Sequence, residues 1–176
     1  LSVAARRMAS GKDLDDEPED AETDGLGTEK ERQRWAAMLI PQEQRRVLMF
    51  VESNPKMQDI FREGLKRAGY RVLLTNDPQR ALARLEDDPT AIHGVVFSTV
   101  TVGEDAVEAF NALGAGEETC KIPAVLLLGE EHQAWKKRAE KADHRVVVAM
   151  PIKLKQLRRL LRKLVPPLDV NSASEG

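Results

Sequence analysis

The chain is poor in cysteine, in aromatic residues and in long apolar runs. Cys120 is the only cysteine among 176 residues, which excludes an intrachain disulfide and any metal site built from several cysteines. This usage is typical of proteins from a reducing compartment, so we expect a cytoplasmic location.

The longest apolar runs are about five to seven residues, far below the roughly 20 residues that a membrane-spanning helix needs. The first residues also lack the apolar core of a signal peptide. We therefore expect no membrane association. Aromatic residues make up only 4% of the chain, and no segment looks like a nucleic-acid reading helix, so nucleic acid is not the expected partner.

The near-neutral net charge of -2 hides a strong asymmetry along the chain. Residues 1–44 carry 6 Lys and Arg against 11 Asp and Glu, whereas residues 120–165 carry 12 against 4. An acidic segment with few apolar residues is typical of a solvated linker. An acidic tail folded back over the basic region is a further hypothesis.

These patterns predict one domain with extensions. We expect a flexible acidic tail at residues 1–27, a helical extension at 28–44, a domain at 45–165 and a flexible tail at 166–176. The extension is predicted as an extra N-terminal helix capped by Thr28, with Trp35, Met38 and Leu39 on one apolar face.

Five short apolar runs alternate with helix-like segments, which indicates an α/β fold with a buried parallel sheet. The predicted strands are residues 47–51, 72–75, 94–98, 124–128 and 146–149. Asn54-Pro55 and Asp77-Pro78 predict the starts of the first two helices. Further helices are expected over 106–113, about 132–142 and about 154–164.

Ligand chemistry in such sheets collects beyond the carboxyl ends of the strands. Those ends, together with the opening run 47–53, Ile122-Pro123 and Met150-Pro151, resemble the receiver domain of two-component response regulators over residues 45–165. The resemblance implies a three-layer, doubly wound, five-stranded parallel sheet of flavodoxin-like topology, in the order 2-1-3-4-5.

In that family two acidic residues after strand one help to hold magnesium, and an Asp after strand three accepts the phosphoryl group. A Thr or Ser ends strand four, and a Lys precedes a Pro after strand five. The resemblance places these functions on a degenerate phosphoacceptor pocket, which consists of Glu52, Ser53, Thr99, Leu128 and Met150.

This set of residues predicts that magnesium binding and phosphoryl transfer are lost. One carboxylate with neutral hydroxyls is a poor site for Mg²⁺, Thr99 has no His or Lys nearby in sequence to activate it, and a Met thioether cannot replace a Lys. We therefore interpret the chain as a pseudo-receiver: not an enzyme, not phosphorylated on Asp, without a cofactor or metal, and acting through protein–protein contacts.

A cluster of basic residues predicts the contact region. In receiver-like folds the last two helices form a face that is used for dimerisation and for contact with output domains, which implies an output or kinase domain of the parent protein, or a homodimer, as the partner. We expect the Lys and Arg side chains of this region to point outward. We call the corresponding residues the basic surface: Trp135, Lys137, Arg138, Lys141, Arg145, Lys155, Arg158, Arg159 and Arg162.

Two other functions fit parts of the sequence. The basic surface is compatible with a nucleic-acid-binding regulator, although binding by charge alone is nonspecific. The hydroxyls of Ser53, Thr99 and Thr101 are compatible with a small-molecule sensor at the pocket. The three histidines, His93, His132 and His144, lack the spacing of metal ligands.

Overall fold

Residues 28–29, 31–32 and 39–168 are described by the structure, which is a computed structural model. The predicted tail 1–27, and Trp35 and Met38 of the predicted N-terminal helix, lie outside the described residues. At the start of that helix the amide of Glu31 donates to Thr28 Oγ1 at 3.0 Å, which confirms the predicted cap. Leu39 is exposed rather than packed.

A five-stranded sheet in the order β2-β1-β3-β4-β5 organises the domain. Its strands are β1 Arg46–Val51, β2 Tyr70–Thr75, β3 Gly94–Ser98, β4 Ala124–Leu128 and β5 Arg145–Ala149. The pairs β1/β3, β3/β4 and β4/β5 are parallel. The order confirms the predicted flavodoxin-like receiver topology, and it brings the carboxyl ends of these strands to one edge.

Among the described residues, four α-helices of ten residues or more connect or follow the strands: α1 Pro55–Arg67, α2 Pro78–Asp87, α3 Glu104–Ala115 and α4 Leu154–Leu164. Asn54 Oδ1 accepts from the amides of Lys56 and Met57, so the predicted Asn-Pro start is confirmed. Asp77 Oδ1 caps α2 in the same way, at 2.9 Å from the amide of Gln79.

The helix expected at 132–142 is wrong in type and bounds. The structure has a 3-10 helix at Glu130–Arg138, in which the amide of His132 donates to the Gly129 carbonyl. Three residues per turn place side chains i and i+3 above one another. The rings of His132 and Trp135 accordingly stack at 4.0 Å with 8° between their planes, an arrangement that suits this tighter helix.

Residues 39–168 fall into two compact units: residues 47–58 with 72–152, and residues 39–46 with 59–71 and 153–168. The first unit contains a core of apolar side chains from β1, β3, β4, α2 and α3, where Phe97 and Phe110 meet edge to face at 6.4 Å. In the second unit, Leu154 of α4 lies directly against Gly64 of α1.

Candidate functional site

Polar residues follow β1 and β3 at the edge where the parallel strands end. Glu52 and Ser53 come after β1, and a single helical turn, Thr99–Val102, begins directly after β3. Gly129 follows β4, and Met150 follows β5. The structure thus brings the predicted pocket residues to one edge of the sheet, in the unit that contains residues 47–58 and 72–152.

The carboxylate of Glu52 is buried and already engaged. Only 2% of the residue is exposed, and its Oε1 accepts hydrogen bonds from the amide of Asn54, at 3.1 Å, and from the hydroxyl of Thr101. Thr101 Oγ1 also accepts from the amide of Ser53 at 3.3 Å. One threonine hydroxyl therefore links the end of β1 to the turn after β3.

Thr99 is fully buried and has two partners from the loop after β4. The amide of Gly129 donates to Thr99 Oγ1 at 2.8 Å, and His132 Nδ1 lies 2.9 Å from the same oxygen. No histidine stands near Thr99 in sequence, but the fold supplies His132. The sequence-based expectation that Thr99 lacks a neighbouring base is therefore wrong in three dimensions.

The remaining two pocket positions are joined through the backbone. Leu128 is buried, and its carbonyl accepts a hydrogen bond from the amide of Met150 at 2.7 Å. Met150 is half-buried and precedes Pro151 through a cis peptide bond. The side chains at these positions are apolar, so they add no charge to the edge.

Sequence reasoning missed the specific partners of Thr101 and His132. Each residue stands shortly after a strand end, Thr101 three residues after Ser98 and His132 four residues after Leu128. A polar residue at that distance from a strand end falls in the first turn of the following segment, where it can reach the neighbouring strand's loop. That position was the available signal, and the pairing itself depends on the fold.

The basic surface is only partly exposed. In the first unit Lys137, Arg138 and Lys141 are exposed, and Trp135 is half-buried against the apolar core. Arg138 forms an ion pair with Glu104 at 3.1 Å. In the second unit Arg159 is exposed, whereas Lys155 and Arg162 are half-buried.

The outward placement expected for Arg145 and Arg158 is wrong, because they are only 4% and 7% exposed. The guanidinium of Arg145 lies 4.1 Å from the centre of the Phe110 ring and donates from Nη2 to the Phe110 carbonyl. Burial lowers the pKa of Arg145, with Glu140 opposing the shift. A planar cation over an aromatic face is a stable buried arrangement.

The described residues contain neither a candidate metal cluster nor a helix that could span a membrane. Within residues 28–29, 31–32 and 39–168, no three His, Cys, Asp or Glu residues are grouped so that they could hold a metal ion. In the same part of the chain, none of the helices has the length and apolar character needed to cross a membrane.

Known protein families and curated proteins give no match to the chain, but solved structures do. The chemotaxis protein CheY4 of Vibrio cholerae aligns at 18% identity with a TM-score of 0.57, over 68% of this chain and 98% of that one. A response regulator of Thermotoga maritima aligns at 18% identity and a TM-score of 0.55, over 68% and 97%.

A third similar structure is the receiver domain of a sensor histidine kinase from Pseudomonas aeruginosa, which was solved with a magnesium ion in its active-site cleft. It is 24% identical, with a TM-score of 0.55, and the match spans 68% of this chain and 96% of that domain. Together these similarities show that the matched 68% of this chain adopts the receiver-type fold.

Proposed function

We propose that this chain is a pseudo-receiver, a non-catalytic signalling module that acts through protein–protein contacts and is not phosphorylated on Asp. The observation that carries the proposal is the chemistry after β3. Thr99 stands where the resemblance to receivers places the phosphorylated carboxylate, and its hydroxyl is buried in hydrogen bonds to Gly129 and His132.

Phosphorylation of the hydroxyl itself is also disfavoured by geometry. His132 is placed to accept a proton from Thr99, as a base must be. However, Thr99 is 0% exposed, and its oxygen already contacts both an amide and an imidazole. An incoming phosphoryl group needs an open approach to that oxygen, in line with the leaving group.

Magnesium does not fit the residues present at this edge. Mg²⁺ favours several charged or water oxygens in octahedral geometry. Among the five predicted pocket residues only Glu52 has a carboxylate, and its Oε1 is occupied by the amide of Asn54 and the hydroxyl of Thr101. Ser53 and Thr99 supply only neutral oxygens. The proposed function therefore does not depend on a metal ion.

Met150 stands where the resemblance to receivers places a lysine that contacts the phosphoryl group. A Lys ammonium donates hydrogen bonds to phosphoryl oxygens, whereas a thioether has no donor and is a weak acceptor. The backbone of Met150 is fixed by its bond to Leu128, so the scaffold is retained while the charged group is replaced.

Exposed side chains near the sheet edge support contact with another protein. Val100 is 51% exposed beside the buried Thr99, and Lys137 and Lys141 are exposed on and after the 3-10 helix. Protein interfaces commonly combine apolar contacts with a charged rim. The proposed partner is an output or kinase domain, or a second copy of this chain.

The proposal is tested by incubation with acetyl phosphate and Mg²⁺, followed by intact-mass measurement at neutral pH. We expect no phosphorylated species. A receiver domain with a complete acidic site, treated in parallel, controls for reagent activity. Stoichiometric addition of one phosphate group to this chain, at any residue, would contradict the proposal.

A further inference from the structure

The loop after β4 is held to the turn after β3 by a short set of contacts through one buried hydroxyl. The amide of Gly129 donates to Thr99 Oγ1 at 2.8 Å, and His132 Nδ1 lies 2.9 Å from that oxygen. His132 in turn stacks on Trp135. We call the Gly129, Thr99 and His132 group the hydroxyl bridge.

The donors and acceptors of the hydroxyl bridge match one another in the neutral form of His132. Thr99 Oγ1 accepts from the Gly129 amide and has one hydrogen of its own to donate. His132 Nδ1 lies within reach of that hydrogen, and it accepts the hydrogen in the neutral tautomer that carries the ring proton on Nε2. In this neutral form the Thr99 hydroxyl both accepts from the Gly129 amide and donates to His132 Nδ1.

Protonation of His132 removes that arrangement, because both ring nitrogens of an imidazolium are donors. Nδ1 and the Gly129 amide would then both point hydrogens at Thr99 Oγ1, and the threonine hydrogen would lose its acceptor. Thr99 is 0% exposed, so water cannot take over that role while the loop stays closed. Buried donors without partners are unfavourable.

We infer that protonation of His132 opens the hydroxyl bridge and changes how the 3-10 helix Glu130–Arg138 is presented to a partner. Histidine is the side chain that ordinarily changes charge between about pH 5 and 8. The inference rests on the proposed function, since it assigns to a proton the regulatory input that a phosphoryl group no longer provides at this edge.

Other charged groups lie near the loop, so substitutions are needed to show that a pH effect comes from His132. The helical turn 99–102 and β4 carry no charged side chain. Charged residues do lie on other elements near the 3-10 helix. On β5 there is Arg145, whose guanidinium donates to the Phe110 carbonyl. Glu104, Asp105 and Glu108 lie on α3. The 3-10 helix itself carries Glu130 and Glu131 before His132, and Lys136, Lys137 and Arg138 after it.

The test is hydrogen exchange of the Gly129 amide, measured by NMR at about pH 7.5 and about pH 5.5 and corrected for the intrinsic rate at each pH. We expect its protection to fall at least about fivefold at the lower pH. The Met150 amide bonds to the Leu128 carbonyl at the same edge, so its protection should stay constant and serve as the internal control.

Two substitutions separate His132 from the other titrating groups. His132→Asn keeps an acceptor near the Nδ1 position but cannot be protonated, so the Gly129 protection should become independent of pH. Thr99→Ser keeps the hydroxyl and should retain the pH dependence. A pH-independent wild type, or a pH-dependent His132→Asn variant, would overturn the inference, and neither result bears on whether acetyl phosphate labels the chain.

Discussion

Tyr70 is the residue whose protonation most clearly affects stability. It is the only tyrosine in the chain, it is fully buried, and its hydroxyl donates to the Val165 carbonyl at 2.6 Å. Burial raises the pKa of Tyr70 well above its usual range, and the positive charge of Arg162 opposes part of that shift. The folded state therefore strongly favours the neutral phenol.

We expect the Tyr70→Phe variant to reverse its rank against the wild type at high pH. A raised folded-state pKa gives stability that is complete below the unfolded pKa of about 10 and is lost at about 1.4 kcal/mol per pH unit above it. Near pH 7 the variant should be less stable by about 1 kcal/mol, because the Val165 carbonyl loses its partner. By about pH 12 it should be the more stable protein.

Urea unfolding of both proteins between pH 7 and 12 measures this difference, and tyrosinate absorbance assigns it because there is only one tyrosine. Subtracting the two curves cancels the titration of lysines and arginines that the proteins share. A constant difference across the pH range would contradict burial of the phenol.

The location of the strand-end residues at one edge of the sheet was predictable from the sequence, but their hydrogen-bond partners were not. A parallel sheet places the residues after its strands together, so Glu52 and Thr99 could be assigned to one edge from sequence. The bond between Thr99 and His132 joins residues 33 apart. Such a pairing depends on loop paths, which local sequence patterns do not specify.

At the scale of elements, helix starts with a local signal were predicted correctly. Asn54-Pro55 and Asp77-Pro78 combine a capping side chain with a proline, and α1 and α2 begin at those prolines. The segment after β4 has no comparable signal. Its 3-10 form is accompanied by a nonlocal bond from His132 to Thr99, so an ordinary α-helix was the natural but wrong expectation.

The packing of α1 against α4 gives an element-scale prediction. A Cβ added at Gly64 would overlap the side chain of Leu154, which is 1% exposed. Gly64→Ala should therefore destabilise the protein by about 1–3 kcal/mol, even though alanine is the better helix former by about 1 kcal/mol. Urea unfolding measures the change.

The Leu154→Ala background provides the matched control for Gly64→Ala. Truncating Leu154 removes the overlapping atoms, so Gly64→Ala should become neutral or stabilising by up to about 1 kcal/mol, in line with helix propensity. The same loss of stability in both backgrounds would show that the two side chains do not conflict.

For the whole molecule, the sheet order followed from the resemblance to receivers, whereas the burial of charge did not. Alternating charged and apolar residues on a helix suggest an outward polar face, but Arg158 is buried. Arg145 was expected outside and instead covers the Phe110 ring. Long cationic side chains have apolar stems, so composition alone cannot decide which of them are covered.

Magnesium should leave the stability of the whole molecule unchanged. A ligand that binds only the folded state at 100 times its dissociation constant stabilises it by about 2.7 kcal/mol. Because the groups near Glu52 do not fit the ion, we expect about 10 mM Mg²⁺ to change the free energy of unfolding by less than about 0.3 kcal/mol, compared with NaCl at equal ionic strength.

Urea unfolding in the two salts measures this effect, and Glu52→Gln is the control variant. A magnesium-dependent gain in the wild type that disappears in Glu52→Gln would place an ion at this edge and contradict the expectation. A gain shared by both proteins would reflect ion binding elsewhere.

The side-chain hydrogen bonds of Thr99 and Thr101 at the sheet edge also affect how the sequence of this chain can evolve. A lone Thr99→Asp replacement would set a carboxylate in a fully buried position, without the lysine and the acidic pair that make such a group useful. The intermediate would be less stable and no more reactive. If the chain is the pseudo-receiver proposed above, phosphate signalling at this edge would thus require several coordinated changes and could not arise from one substitution.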